Sequence, residues 1–306
     1  MARAPQLQPD RRLPGTGDAA MAQSLAARLP RLVLESRRVS ATLAHGLHGR
    51  RRAGSGETFW QFRPFVAGEA AGRIDWRRSG RDDRLYVRER EEEAPHAIHF
   101  WIDRSASMAY RSDLAGAPKV ERAIVLGLAL ADALVDGGER VSLLGRTRPS
   151  ASRRIIERLI ESLAAGTDLD DDLPPGIRIG RLDEVILLGD FLSPLPDVER
   201  RVAELSSGGA RGHLVVVIDP VEETFPFAGQ AVLHESEGGL SLRVGDAAAW
   251  GRDYRARITK HRAGIADLCR RRGWTCTVHH TDRPASEAAL RVMTLLAGAA
   301  RHRSAA

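Results

Sequence analysis

Continuous apolar runs recur at Ala97–Ile102, Val141–Leu144, Val185–Leu188 and His213–Ile218. None alternates strictly between apolar and polar residues, so each reads as a strand buried on both faces rather than one face. Helical spacing fills the gaps. Val120, Ala123, Ile124, Gly127, Leu128, Ala131 and Leu134 predict a helix over 119–136, closed by Gly137-Gly138. Ile155, Ile156, Leu159, Ile160 and Leu163 predict another over 152–164. Helices over 196–206, 248–272 and 285–300 and a last strand, Thr275–His279, continue the alternation, while 221–245 reads as turns and short strands. Buried strands alternating with helices predict an α/β, doubly wound, mostly parallel sheet with helices on both faces. In such sheets ligands bind outside the carboxyl ends of the strands.

Upstream the pattern is weaker. Residues 1–20 are dominated by Pro, Arg, Gly and Asp and predict disorder. Over 22–47, Leu25, Leu29, Leu32, Leu34, Val39 and Leu43 are spaced as in a helix, and Pro30 breaks the run, which predicts one or two short helices. Gln61–Phe65 reads as extended, and Arg84–Arg90 as a strand that could pair with Ala97–Ile102. The chain thus divides into a disordered start, an N-terminal helical and extended region over 21–96 packing on the main domain, and the main domain over 97–300.

Charge and composition narrow the function classes. The net charge is +6 over 306 residues, and Lys119 and Lys260 are the only lysines among 46 basic residues. The arginines are scattered and no nucleic-acid-binding module is visible, so nucleic acid is not an expected partner. An acidic protein, or peripheral contact with an anionic membrane surface, fits the charge equally. Two cysteines make no disulfide framework and fit a reducing compartment. Cys276, His279 and His280 invite a zinc reading, but they lie in a predicted strand and no second ligand pair has the usual spacing. No segment approaches the roughly 18–20 apolar residues that span a bilayer, and no signal core opens the chain. A cytoplasmic protein is expected.

The chemistry concentrates just past the first buried strand. Phe100-Trp101-Ile102 runs into Asp103-Arg104-Ser105-Ala106-Ser107-Met108. One carboxylate and two hydroxyls on a tight loop supply part of the oxygen shell that Mg²⁺ or Mn²⁺ takes, leaving a position open. The same pentapeptide can be only a turn, since Asp and Ser cap helices and bond their own backbone. Two further oxygen-bearing loops lie at predicted strand ends: Thr167, in Gly166-Thr167-Asp168, and Asp190, in Leu188-Gly189-Asp190.

These loops, in this order, resemble the metal-ion-dependent adhesion site of von Willebrand factor A-like domains. A more specific resemblance covers about residues 35–220. Arg73-Ile74-Asp75-Trp76-Arg77-Arg78-Ser79-Gly80-Arg81, then Leu85-Tyr86-Val87-Arg88-Glu89, the Asp-x-Ser-x-Ser-Met loop and Leu187-Leu188-Gly189-Asp190-Phe191-Leu192 are similar to a bacterial von Willebrand A-like family. It is the domain of unknown function fifty-eight, whose genes accompany MoxR-type AAA+ ATPases. The resemblance implies a Rossmann-type fold. It also implies that Ser105, Ser107 and Thr167 contact Mg²⁺ directly or nearly so, that Asp103 and Asp190 bind it or hold its waters, and that a partner's carboxylate takes the remaining position. Many relatives carry two transmembrane helices ahead of this region, which this chain lacks. The stretch after Thr167 (Asp168, Asp170, Asp171, Asp172, Pro174, Pro175, Gly176) is too acidic and too rich in Pro and Gly to predict a helix.

Asp75, Trp76, Arg104 and Met108 are the candidate partner-binding residues. For Ile74-Asp75-Trp76 packing is favoured over docking, with Trp76 covering a sheet edge and Asp75 bonded to backbone or an arginine. The expected function is a non-catalytic, metal-dependent protein-interaction module, acting as adaptor or chaperone partner of a MoxR-like AAA+ ATPase and taking an acidic residue of a client. Two other readings stay open: a structural domain with a vestigial metal site, and a metal-assisted hydrolase. Against the hydrolase, the chain has no Gly-x-Ser-x-Gly elbow, no P-loop and no His-Glu-x-x-His.

Overall fold

The computed structural model describes residues 17–47, 59–66, 70, 72, 74–81, 84–90, 96–165, 172–234 and 241–304. The elements in chain order are α1 (Gly17–Leu47), β1 (Phe59–Pro64), α2 (Trp76–Ser79), β2 (Tyr86–Arg90), β3 (Ala97–Ile102), α3 (Lys119–Asp136), β4 (Arg140–Leu143), α4 (Arg154–Ala164) and β5 (Glu184–Gly189). There follow α5 (Leu195–Ser206), β6 (Arg211–Ile218), α6 (Pro220–Thr224), β7 (Ala231–His234), β8 (Ser241–Val244), α7 (Ala247–Arg271), β9 (Thr275–His280) and α8 (Ala285–Ser304).

The main sheet has five parallel strands in the order β4-β3-β5-β6-β9. Side chains alternate across it. Ile98, Phe100, Ile102, Ile186, Leu188, Val215 and Val217 face one core with residues of α1, α3, α4 and α8. Trp101, Val185, Leu187, Leu214, Val216 and Ile218 face a second core with residues of α5 and α7. Both faces are covered, which is why the strand sequences are continuously apolar. The fold is α/β, doubly wound and Rossmann-like, as the sequence predicts. After β3 the chain adds β4 on one side and then crosses to place β5 on the other. The order reverses between β3 and β5, and the crevice at their carboxyl ends is the switch point where such sheets bind ligands.

Three expectations for residues 1–47 are corrected. Residues 17–20, expected to be disordered, open α1, while 1–16 lie outside the described residues. Pro30 does not split α1, which runs for 31 residues with the proline inside. Leu25, Leu29, Leu32 and Leu43, on both sides of Pro30, are buried in the first core. At about 1.5–3 kcal/mol per buried leucine they outweigh the ~3 kcal/mol that a mid-helix proline costs. The same burial places α1 with residues 97–304 in one compact unit, not with the 21–96 region to which the sequence assigned it. The reason lies in α3, which is buried nearly all round, from Ala123 to Ala131, and therefore needs a cover on its outer side. Arg28 and Arg31 of α1 fasten that cover by pairing with Glu121, whose side chain is buried.

The described residues between 59 and 90 belong to a second unit. Here β1 and β2 pair antiparallel, so the expected partnership of the 84–90 strand with β3 does not form. Ile74 bridges Val87, and Asp75 caps α2 by accepting from Arg78 N at 2.9 Å. Arg78 stacks over the Tyr86 ring, 4.5 Å from its centroid.

Candidate metal centre

Asp103 is the first residue beyond β3, and its N–H donates to Leu188 O of β5 at 2.8 Å. This extends the β3–β5 ladder by one bond and sets the loop at the switch point. Gly189 faces it from the end of β5. A Cβ there would lie 2.9 Å from Asp103 Cβ and 3.0 Å from Oδ2, so only glycine leaves room for this carboxylate. Asp190 follows, and then Phe191 at φ 50°, a left-handed conformation that a buried aromatic rarely takes. His261 on α7 hydrogen-bonds Phe191 O at 2.7 Å and helps to hold that sharp turn.

Asp103, Ser105 and Asp190 are buried, and Ser107 is half-buried. Ser105 N donates to Asp103 Oδ1 at 2.9 Å. The hydroxyls of Ser105 and Ser107 are 3.1 Å apart, and Ser107 Oγ donates to Asp190 Oδ2 at 2.8 Å. Four of the five predicted ligands thus converge on one spot. Thr167, the fifth, lies outside the described residues. Asp103 Oδ2 is buried with no hydrogen-bond partner among the described residues. A buried carboxylate oxygen left without a donor is costly, and a cation would satisfy it. Burial first, then the Asp190 carboxylate, pushes the Asp103 pKa up to about 7. The donor set of two carboxylates and two hydroxyls is all oxygen, and so fits a hard divalent ion and not zinc. Among the described residues no three or more His, Cys, Asp or Glu gather as an alternative metal cluster.

Two residues of the site escaped the sequence reading. Lys119, first in α3 and fully buried, donates from Nζ to Asp190 Oδ2 at 2.8 Å and to Glu222 Oε1. Glu222 also closes a capping box with Asp219 at the start of α6, accepting from Asp219 N at 2.9 Å. Asp219 in turn accepts from Ser112 N at 2.8 Å, tying the loop after Ser107 to the end of β6. Burial pulls the lysine pKa down, but Asp190 and Glu222 together reverse this and raise it. Burial raises the Glu222 pKa against the pull of Lys119. Two signals were present in the sequence: Asp219-Pro220-Val221-Glu222 has the spacing of a capping box, and Lys119 is one of two lysines in an arginine-rich chain.

The partner candidates divide. Met108 is fully buried in the first core, because the short 3₁₀ turn Ala106–Ala109 directs it inward, and it presents nothing to a partner. Arg104 is 5% exposed and donates to Leu163 O at 2.8 Å, so it too is corrected from a docking residue to a buried one. It lines a cavity of about 150 Å³ with Trp101, Leu144, Arg146, Leu163 and Ile177. Burial, then Arg146, pushes its pKa down to about 10. Trp76 is 65% exposed and so does not cover a sheet edge.

A serine, a histidine and an aspartate do meet elsewhere. His99 Nδ1 is 2.7 Å from Ser142 Oγ, and its Nε2 is 3.5 Å from Asp183 Oδ2. Ser142 is fully buried inside the sheet, so no substrate reaches its hydroxyl. The pair is a cross-strand contact between registered positions of β3 and β4.

A family model described as "Protein of unknown function DUF58" matches residues 61–264, two thirds of the chain. Two relatives, the uncharacterized protein Rv1480 of Mycobacterium tuberculosis and the uncharacterized protein Mb1516 of Mycobacterium bovis, are each 24% identical over 277 residues. The match covers 85% of this chain and 86% of each relative. Among solved structures the PilB minor pilin from Streptococcus sanguinis is similar at 13% identity, covering 70% of this chain and 63% of that one, with a TM-score of 0.33. No helix among the described residues is long and apolar enough to cross a membrane.

Proposed function

The chain belongs to the DUF58 family, and on that premise we propose that it is a non-catalytic interaction module. It binds a partner's carboxylate through Mg²⁺ or Mn²⁺ in the manner of a von Willebrand A-like adhesion site. The observation that carries this reading is the partnerless, buried Asp103 Oδ2 among the described residues, beside two hydroxyls and a second carboxylate at a sheet switch point. Asp103, Ser105, Ser107 and Asp190 would hold the ion, with Thr167 as a further ligand. The bound ion would supply an electrophilic position for an anionic group. No histidine hydrogen-bonds Ser105 or Ser107 among the described residues, so neither hydroxyl has the imidazole base of a serine hydrolase. This favours binding over hydrolysis.

The partner that the family resemblance supplies is a MoxR-type AAA+ ATPase in a cytoplasmic setting, with this chain as its adaptor and an acidic client residue at the metal. Trp76, exposed beside the Asp75 cap, is a second contact available to such a partner. The test is capture of a MoxR-type AAA+ ATPase by the purified chain in Mg²⁺ and in EDTA, with Asp103→Ala alongside. Capture that needs both Mg²⁺ and Asp103 supports the reading. Capture indifferent to both would move the contact off this site.

A further inference from the structure

The two carboxylates of the site are served unequally. Asp190 Oδ2 accepts from the Lys119 ammonium and from Ser107 Oγ, each at 2.8 Å, and Asp190 Oδ1 accepts from Leu192 N at 3.3 Å. Asp103 Oδ2 accepts from nothing among the described residues. A full positive charge is therefore built into one side of a site otherwise suited to a divalent ion. The residue type is informative. In a chain whose 46 basic residues include only two lysines, one occupies this buried position. An ammonium is a compact point charge on a flexible stem, whereas a guanidinium is a planar fork that grips carboxylates bidentately. Glu222 gives the ammonium a second acceptor, so it keeps a partner if Asp190 turns toward another cation.

Resting on the metal reading above, we propose that Lys119 is a tethered cation that competes with the divalent ion for Asp190, keeping the ion weakly held until an anionic partner group joins it. An ion entering beside Asp190 meets a fixed like charge, which disfavours it. A carboxylate arriving with the ion restores negative charge at the same place. Ion and carboxylate therefore bind better together than either does alone. The coupling is reciprocal, so the partner's acidic group also binds better when the ion is present. Lys119 is a positioning residue here and touches the ion only through Asp190.

The test measures Mn²⁺ binding to the full chain by the loss of the free-ion paramagnetic resonance signal, with and without acetate. Wild type is compared with Lys119→Met and with the double variant Lys119→Met/Glu222→Gln. The double variant guards against misfolding of the single one, which leaves two carboxylates facing each other. Loss of the Glu222 charge alone would weaken Mn²⁺, so tightening in the double variant reports the missing ammonium. Expected is roughly ten-fold or greater tightening in both variants, with the acetate enhancement seen in wild type much reduced. Binding by the variants without acetate, with wild type binding only in its presence, supports the same conclusion. Equal affinity in all three, lost in Asp103→Ala, overturns the tethered cation and leaves the metal site standing. No Mn²⁺ binding by any of them, with or without acetate, overturns both.

Discussion

Asp103 Oδ2 lies 3.0 Å from the point where a side chain on Gly189 would begin. This contact between the ends of β3 and β5 makes the site a property of the sheet rather than of one loop. The missing Cβ on one strand is what admits the carboxylate of the other.

Gly189→Ala should therefore displace Asp103. Forcing one methyl into a filled site costs about 1–3 kcal/mol. Urea denaturation should show that loss, and Mn²⁺ binding should fall together with it. Unchanged stability and binding would mean that the carboxylate has another position available.

The Asp103 carboxyl predicts a pH dependence with an unusual sign. Its pKa stands at about 7 in the folded chain against 3.8 for the free group, so the native state binds more protons than the unfolded state between those values. Its contribution to stability is present at low pH and is lost as pH rises from about 4 to 7. Asp103→Asn should stabilise the metal-free protein at pH 8, on the order of a few kcal/mol, and should have little effect at pH 4. Mg²⁺ should close the gap by favouring the ionised wild-type carboxylate. Urea midpoints at the two pH values, with and without Mg²⁺, check this.

His279 predicts the opposite slope. Burial, then Arg122 and His280, holds its imidazole pKa down to about 4, below the usual 6.5. Its Nε2 is buried without a hydrogen-bond partner among the described residues. The unfolded chain takes up a proton there that the folded chain refuses, so stability falls as pH drops from 6.5 to 4. His279→Leu should flatten that part of the profile in thermal unfolding. A variant that remains as acid-sensitive as wild type would assign the effect elsewhere.

Pro30 tests the continuity of α1. It is exposed, and it denies Ala26 its helical hydrogen bond without contributing burial. Pro30→Ala should stabilise the protein by about 1–3 kcal/mol in chemical denaturation. A destabilised variant would show that the proline shapes a bend that α1 needs.

The sequence made the sheet legible because strands buried on both faces cannot hide their apolar runs. Four residues of the candidate site were legible for a related reason: a polar cluster directly after such a run must lie at a strand end. Pro30 misled because local propensity opposed a tertiary burial that no local pattern shows. Met108 and Arg104 misled because a loop position reads as exposed, while the 3₁₀ turn and the hydrogen bond to Leu163 O draw both inside. The β2 strand found β1, not β3, as its partner, since apolar composition says that a strand pairs but not with which neighbour. Lys119 and Glu222 were missed because a buried ion pair uses the same letters as a solvated one.

The most direct measurement is calorimetric titration of wild type, Asp103→Ala and Asp190→Ala with Mg²⁺ and Mn²⁺, each with and without acetate. The metal-centre reading predicts a single ion bound by wild type, tightened by acetate and lost in both variants while their folds persist. Undiminished binding in Asp103→Ala, or no binding by wild type even with acetate present, would contradict it.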